Sequence, residues 1–191
     1  MQSGSKLTNQ LLGYARKGKF EINVFNLNRI VQESAEIFGR TRKEIAVCMD
    51  LAADNCSIEA DRSQIEQVLF NLFINAADAM PEGGDLRLTT KTIRHTDIGP
   101  KPFKLKPGSY AMLRITDLGH GMDAETKNRI FDPFFTTKER GRGTGVGLAS
   151  VYGLVQAHAG YREVGSGIEQ GAPGASARPA AERGRQPGGD R

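Results

Sequence analysis

The chain has 191 residues, of which 38% are hydrophobic and 25% charged, so we predict one globular domain with short appendages. No apolar run could span a bilayer and no secretory pattern opens the chain, so we expect a cytoplasmic protein, attached to a membrane only through a longer parent protein. The net charge is +4, but the first 20 and last 21 residues hold eight basic and two acidic residues. The 18 basic and 20 acidic residues between them argue against nucleic-acid binding.

The predicted elements follow from periodicity and capping residues. Residues 6–16 resemble the end of a helix, residues 20–25 a strand, and residues 27–38 a helix that Asn26 can cap. Two strands, 45–51 and 57–59, precede the strongest helix, 62–80, which Asp61 can cap. Strands at 86–93 and 110–116 flank a surface excursion, and after a long irregular stretch come a helix at 148–159 and a strand at 161–164. This order predicts an α+β fold, a two-layer sandwich with helices on one face of a mixed, largely antiparallel sheet.

The last 21 residues, 171–191, have a different composition from the rest. They contain no Val, Ile, Leu, Met, Phe, Tyr, Trp or Cys, and 13 of them are Gly, Ala or Pro. Such a segment has too little apolar surface to order itself, so we expect a disordered tail and a sheet without its C-terminal strand. The abrupt change favours a shifted reading frame or a degenerate end over a linker. The two cysteines, Cys48 and Cys56, are expected to be free thiols in the core.

The helix at 62–80 carries a polar stripe beside its apolar one. Gln67, Asn71 and Asn75 recur every four residues and Asp78 follows closely, so these side chains line one edge of the helix. Amide oxygens are neutral hard ligands that can complete a Mg²⁺ shell together with phosphate oxygens and water. The alternative is the ordinary polar boundary of an amphipathic helix. The predicted core stripe consists of Ile65, Val68, Leu69, Leu72, Ala76 and Ala79.

A second segment, Asp117 to Gly121, directly follows a predicted strand. A carboxylate at this place can accept a hydrogen bond from an exocyclic amine such as that of adenine, and the glycines let a base lie close to the backbone. The same residues also suit a plain strand-end turn. His95, His120 and His158 have no neighbours in sequence that suggest a metal site or an activated nucleophile, so we expect structural roles for them.

The third and fourth segments lie next to each other. Residues 131–138 place three phenylalanines in a loop-like region, which suggests a lid that docks through apolar anchors. Lys138, Arg140 and Arg142 then precede the alternating glycines of 141–148, whose backbone N–H groups can hold a polyphosphate at a helix start. A solvated basic loop is the alternative for each cation taken singly.

In this order and spacing the four segments resemble the ATP-binding domain of sensor histidine kinases, in the superfamily of gyrase, mismatch-repair and heat-shock chaperone ATPases. The resemblance covers residues 6 to about 164 and implies ATP and Mg²⁺ as ligands. It implies that Asn75 ligates Mg²⁺, that Asn71 supports metal and phosphates, and that Asp117 reads adenine, with the catalytic set Asn71, Asn75 and Lys138. The implied nucleotide-binding residues are Asn71, Asn75, Asp78, Asp117, Gly119, Gly121, Met122, Phe131, Thr137, Lys138, Gly141, Gly143, Thr144, Gly145, Val146, Gly147 and Leu148.

The resemblance also implies a division of the chain and a set of partners. Residues 1–20 would end a dimerisation and phosphoacceptor helix, residues 21–170 would form the catalytic domain, and residues 171–191 would be the tail. The phosphate acceptor would be a histidine on a separate helix of the same or parent kinase, which would dimerise through that missing hairpin and pass the phosphate to a response-regulator receiver domain.

One position bears on the reaction. Gyrase-like members carry a water-activating glutamate where this chain has Asn71, which cannot take a proton, so transfer is favoured over hydrolysis. A nucleotide-binding module without transfer activity and a gyrase-like ATPase are the alternatives.

Overall fold

A computed structural model describes residues 21–54, 56–98, 106–139, 143–158, 160–165, 176–178 and 180–181. Within these ranges the helices are too short or too polar to cross a membrane. The elements in chain order are β1 (Ile22–Asn26), α1 (Leu27–Thr41), β2 (Ile45–Asp50), β3 (Ser57–Asp61), α2 (Arg62–Ala79), β4 (Gly84–Arg94), a 3₁₀ turn (His95–Asp97), β5 (Ser109–Asp117), α3 (Ala124–Arg129), α4 (Gly147–Ala157), β6 (Tyr161–Glu163), β7 (Ser176–Arg178) and β8 (Ala180–Ala181).

The main sheet has the strand order β2-β4-β5-β7-β6, with β8 also paired to β5. Strands β2 and β4 are parallel, whereas the other pairs in this sheet are antiparallel. Strands β1 and β3 form a separate antiparallel pair. The predicted α+β sandwich with a mixed, largely antiparallel sheet is therefore confirmed.

The C-terminal segment contains strands, although the sequence predicted neither a strand after residue 164 nor order in 171–191. Ala177 pairs with Leu113 of β5 on one side and with Arg162 of β6 on the other, so β7 lies between those two strands. The prediction of a missing strand is wrong here because pairing needs backbone groups, which β5 and β6 supply on facing edges, and no apolar side chain. The rest of the predicted disordered tail lies outside the described residues.

The core lies between the helices and one face of the main sheet. Leu86 and Leu88 of β4 point into it, whereas their neighbours Asp85 and Arg87 are exposed, as expected for a strand with one solvated face. Helix α2 runs through the middle of this core with Leu69 and Phe73 both 0% exposed. Of the predicted core stripe all but Ala79 are buried, namely Ile65, Val68, Leu69, Leu72 and Ala76.

Side-chain caps start the two long helices where the sequence predicted. The Asn26 side chain accepts a hydrogen bond from Asn28 N at 2.9 Å, and Asp61 Oδ1 accepts one from Gln64 N at 3.2 Å. A cap oxygen satisfies one of the backbone donors left open at a helix start. Helix α3 was not predicted, although Asp123 caps it in the same way through Thr126 N at 2.7 Å.

Two smaller expectations have opposite outcomes. Cys56 is buried, and this burial raises the pKa of its thiol, but Cys48 is exposed on β2, so its predicted place in the core is wrong. His158 is structural, as expected: its Nε2 accepts a hydrogen bond from Asp61 N at 3.0 Å, and its Nδ1 lies 2.9 Å from Leu154 O. The ring thereby ties the end of α4 to the start of α2.

Candidate functional site

The polar edge of α2 faces the segment that was predicted as a lid. The Lys138 ammonium donates to Asp78 Oδ2 at 2.5 Å and to Asn75 Oδ1 at 3.3 Å. Asn71, one turn earlier on α2, lies beside the first residue of α4, because a Cβ added to Gly147 would be 3.8 Å from Asn71 Oδ1 and 3.7 Å from Asn75 Nδ2. The two asparagines, Asp78, Lys138 and the start of α4 therefore meet at one place.

The start of α4 has donors available for an anion. Its N-cap residue, Val146, makes no side-chain capping hydrogen bond, and the Val146 carbonyl accepts from Ser150 N at 2.8 Å. The first N–H groups of a helix have no partner within the helix and carry the positive end of its dipole. Because α4 begins next to Asn71 and Asn75, these donors lie close to the polar edge of α2.

The glycine segment and the lid are locked together at Gly145. This residue has a φ of 64°, and a Cβ there would lie 2.4 Å from the carbonyl carbon of Phe134. Phe134 itself has a φ of 68°, and its N–H donates to Gly145 O at 2.8 Å. A left-handed conformation is strained for phenylalanine, and only glycine fits the space opposite it. The pair fixes how the lid crosses the glycine loop.

Two of the three phenylalanines in the predicted lid contact neighbouring helices. The Phe131 ring lies 6.1 Å from the ring of Tyr152 on α4. The Arg129 guanidinium lies 4.4 Å from the centre of the Phe135 ring and also approaches Glu125 and Asp132. Such contacts anchor one end of the segment on α4 and the other on α3.

The end of β5 packs against the end of α2. A Cβ at Gly119 would lie 2.6 Å from both Cβ and O of Ala79, so only glycine allows this approach, and His120 N donates to Ala79 O at 3.1 Å. The Asp117 side chain is buried, and its Oδ1 accepts a hydrogen bond from Gly119 N at 3.0 Å. Asp117 therefore sits in a rigid corner beside the helix that carries the asparagines.

The remaining predicted residues lie on the segments that surround this site. Gly143 packs against the stem of Lys138, since an added Cβ would be 3.1 Å from Lys138 Cβ. Leu148 is half-buried against the hydrophobic core rather than in a polar setting. Gly121 is buried with a φ of 70°, and Met122 is half-buried. Thr137 and Thr144 are both exposed, while Gly141, Arg140 and Arg142 lie outside the described residues.

The donor set at the polar edge suits a hard cation. The Lys138 ammonium already places a positive charge against Asn75 Oδ1, so this oxygen faces a position where a cation is stabilised. In the part of the chain that the structure describes, no three His, Cys, Asp or Glu side chains cluster as a metal site. A metal here would be held by one or two protein oxygens together with phosphate oxygens and water, which is the usual arrangement for Mg²⁺.

Sequence reasoning missed two parts of this site. It named both Asp78 and Lys138 but not the contact between them, because that contact joins residues separated by 60 positions. It also missed the role of Tyr152, whose ring contacts Phe131 from α4. The only sequence signal for Tyr152 is an aromatic residue on the exposed side of a helix.

Known proteins similar to this chain include a protein family and a sensor kinase. The family described as histidine kinase-, DNA gyrase B-, and HSP90-like ATPase matches residues 60–179. Sensor kinase CckA of Brucella abortus (strain 2308) is 37% identical over 169 residues, which are 85% of this chain and 18% of CckA. This chain thus spans about a fifth of the length of that relative.

Two solved structures extend the comparison. The catalytic domain of histidine kinase ThkA superposes with a TM-score of 0.67 and 28% identity, covering 84% of this chain and 95% of that domain. Histidine kinase ThkA in complex with response regulator protein TrrA superposes with a TM-score of 0.66 and 22% identity, covering 92% of this chain and 47% of that one. The second likeness supports the fold alone.

Proposed function

Because the chain belongs to the family of histidine kinase-, DNA gyrase B-, and HSP90-like ATPases, and is a catalytic domain of the histidine kinase type, we propose that it binds MgATP at the junction of α2, α4 and the lid. We propose further that it transfers the γ-phosphate to a histidine on a separate phosphoacceptor helix, from which a response-regulator aspartate would take it.

One observation carries this proposal: amide oxygens, a lid cation and a helix N-terminus without a side-chain cap lie together at one place. Asn71 and Asn75 supply the oxygens, Lys138 the cation, and the start of α4 at Gly147 the backbone donors. A polyphosphate with its metal needs all three, because its oxygens require donors and cations while the metal requires oxygens. No single one of these features would distinguish the site from an ordinary helix boundary.

Each group of the site has a distinct task in this proposal. Asn75 and Asn71 hold Mg²⁺, which neutralises negative charge on the phosphate oxygens. The N–H groups at the start of α4 bind phosphate, Lys138 adds positive charge from the lid, and Asp117 accepts a hydrogen bond from the adenine amine. Phe131 and Gly145 keep the lid on the loop so that water is excluded.

The residue at position 71 determines where the phosphate goes. An asparagine amide cannot remove a proton from water, and it lies at the α4 junction, where a water-activating base would be needed. Without such a base, the site contributes to catalysis by positioning MgATP and by stabilising charge on the transferred phosphate. This suits transfer to an imidazole on another helix.

Calorimetric titration with MgATP tests the binding part of the proposal. Asn75→Ala should weaken MgATP binding by about 10- to 100-fold, since one ligand to a charged group is lost. Asp117→Asn should lower the affinity for MgATP and reduce the preference for ATP over GTP. Asn23→Ala, an exposed asparagine on β1, is the matched control and should bind like the wild-type chain. Wild-type protein that binds no MgATP, or an Asn75→Ala variant of unchanged affinity, would contradict the site.

A further inference from the structure

The Lys138 ammonium, held by Asp78, lies against Asn75 Oδ1, the oxygen that is proposed to bind the metal ion. The ammonium lies between the Asp78 carboxylate at 2.5 Å and the Asn75 amide oxygen at 3.3 Å. The side chains of Lys138 and Asp78 are 32% and 35% exposed, so the pair is partly shielded from water. The rest of Lys138 is also in contact with its neighbours, since Thr136 Oγ1 accepts a hydrogen bond from the Lys138 backbone N–H at 3.2 Å and Gly143 packs on the lysine stem.

Lys138 and a metal ion at Asn75 therefore compete. An amide oxygen has two lone pairs, but two cations held on one oxygen repel each other strongly where water is partly excluded. When a metal is bound, the ammonium must move away, and it then loses a charge-assisted hydrogen bond. This movement of the ammonium is favourable only if an anionic group of the nucleotide replaces the Asn75 oxygen and the Asp78 carboxylate as its partners.

We infer that this competition makes Lys138 a specificity-determining residue that favours nucleoside triphosphate over diphosphate, an inference that rests on the proposed MgATP site. A triphosphate brings a further anionic group to the lid, which can accept the displaced ammonium. A diphosphate is one phosphoryl group shorter, so the ammonium keeps opposing the metal. The Asp78 carboxylate holds the ammonium in its competing position.

Among the described residues, the neighbouring cation Arg129 of α3 does not share this place. Arg129 is held over the Phe135 ring at 4.4 Å and near Glu125 and Asp132 at 3.5 and 3.8 Å, on the side of the lid next to α3. Arg140 and Arg142 lie outside the described part of the chain. Lys138 is therefore the residue whose replacement addresses the competition directly.

The test is to compare the affinities for MgATP and MgADP by calorimetry in matched variants. Lys138→Met should bind MgADP more tightly than wild type and gain nothing for MgATP, so that the preference for ATP falls by about tenfold, equivalent to ~1.4 kcal/mol. Lys138→Arg keeps the charge and should retain the preference to within about threefold. Lys91→Met, an exposed lysine on β4, should leave both affinities unchanged.

The possible outcomes separate this inference from the proposed function. If wild-type protein binds neither nucleotide, the proposed function fails. If it binds both and Lys138→Met weakens them by the same factor, or leaves their ratio unchanged, the site stands and the inference is overturned. A ratio that collapses in Lys138→Met but persists in Lys138→Arg and Lys91→Met supports it. Thermal unfolding of each variant confirms that the fold is retained.

Discussion

The junction between Gly145 and Phe134 gives the sharpest prediction about the lid, through the substitution Gly145→Ala. Alanine at a φ of 64° costs roughly 1–2 kcal/mol because its Cβ crowds the following carbonyl. The same Cβ would lie 2.4 Å from the Phe134 carbonyl carbon, so the hydrogen bond from Phe134 N to Gly145 O, worth about 1 kcal/mol, would also be lost. Together these effects amount to about 2–3 kcal/mol.

We expect this free energy to appear in nucleotide binding rather than in global stability. Phe134 is 59% exposed and lies in a loop, so a displaced lid leaves the core between the helices and the sheet intact. A loss of 2–3 kcal/mol corresponds to MgATP binding that is about 30- to 150-fold weaker. Calorimetric titration measures this loss, and thermal unfolding in the absence of nucleotide should show a Tm within about 2 °C of wild type.

Gly39→Ala is the matched control for this variant. Gly39 lies within α1, where the nearest atom to an added Cβ is 4.0 Å away, so alanine fits and raises helix propensity by about 1 kcal/mol. It should raise the Tm slightly and leave MgATP affinity unchanged. The reasoning is refuted if Gly145→Ala binds MgATP as tightly as wild type, or if its Tm falls as far as expected for a core substitution.

Three further predictions concern the elements that position the site. Burial opposes ionisation of Asp61, but hydrogen bonds from Ser63 and from backbone N–H groups outweigh it and lower its pKa, so its stabilising effect is present above the unfolded pKa of ~3.9 and is lost as pH falls through the folded pKa. Chemical denaturation should therefore show a stability difference between wild type and Asp61→Asn that shrinks as the pH falls below ~4, and a difference independent of pH would contradict this. His158→Ala leaves the Asp61 N–H without its side-chain acceptor and should lower the free energy of unfolding by about 1–3 kcal/mol, whereas unchanged denaturation would argue against the tie. Gly119→Ala forces its Cβ against Ala79 O and should lower the free energy of unfolding by about 1–3 kcal/mol in the same assay, and an unchanged value would contradict this.

Local signals in the sequence predicted much of the fold. Asn26 and Asp61 are cap residues at the starts of long apolar-periodic helices, and both caps form as expected. Alternation in β4 and β5 identified the paired central strands. Helix α3 was missed because it has only six residues and none of them is buried, so it lacks the apolar period on which prediction depends.

The failures have a common physical cause, which is that pairing and contact over long sequence distances leave no local pattern. Strand β7 is inserted between β5 and β6 by backbone hydrogen bonding, and its three residues include no β-branched or aromatic one that would signal a strand. The same holds for the ion pair between Lys138 and Asp78, because the sequence pointed to both residues but not to their contact across 60 positions. Residues with backbone constraints, such as Gly119 and Gly145, were identified by pattern, while their partners Ala79 and Phe134 required the structure.

The fate of the γ-phosphate tests the central proposal most directly. The chain should be mixed with γ-labelled MgATP and separately produced phosphoacceptor hairpins of its sensor-kinase relatives, and label should be followed on the hairpin and as free phosphate. We predict label on the hairpin histidine, none with Asn75→Ala, and free phosphate near background throughout. The contrary result is steady release of free phosphate that Asn75→Ala abolishes, with no label on any hairpin. It would show that the site activates water in spite of Asn71 and that the chain is an ATPase.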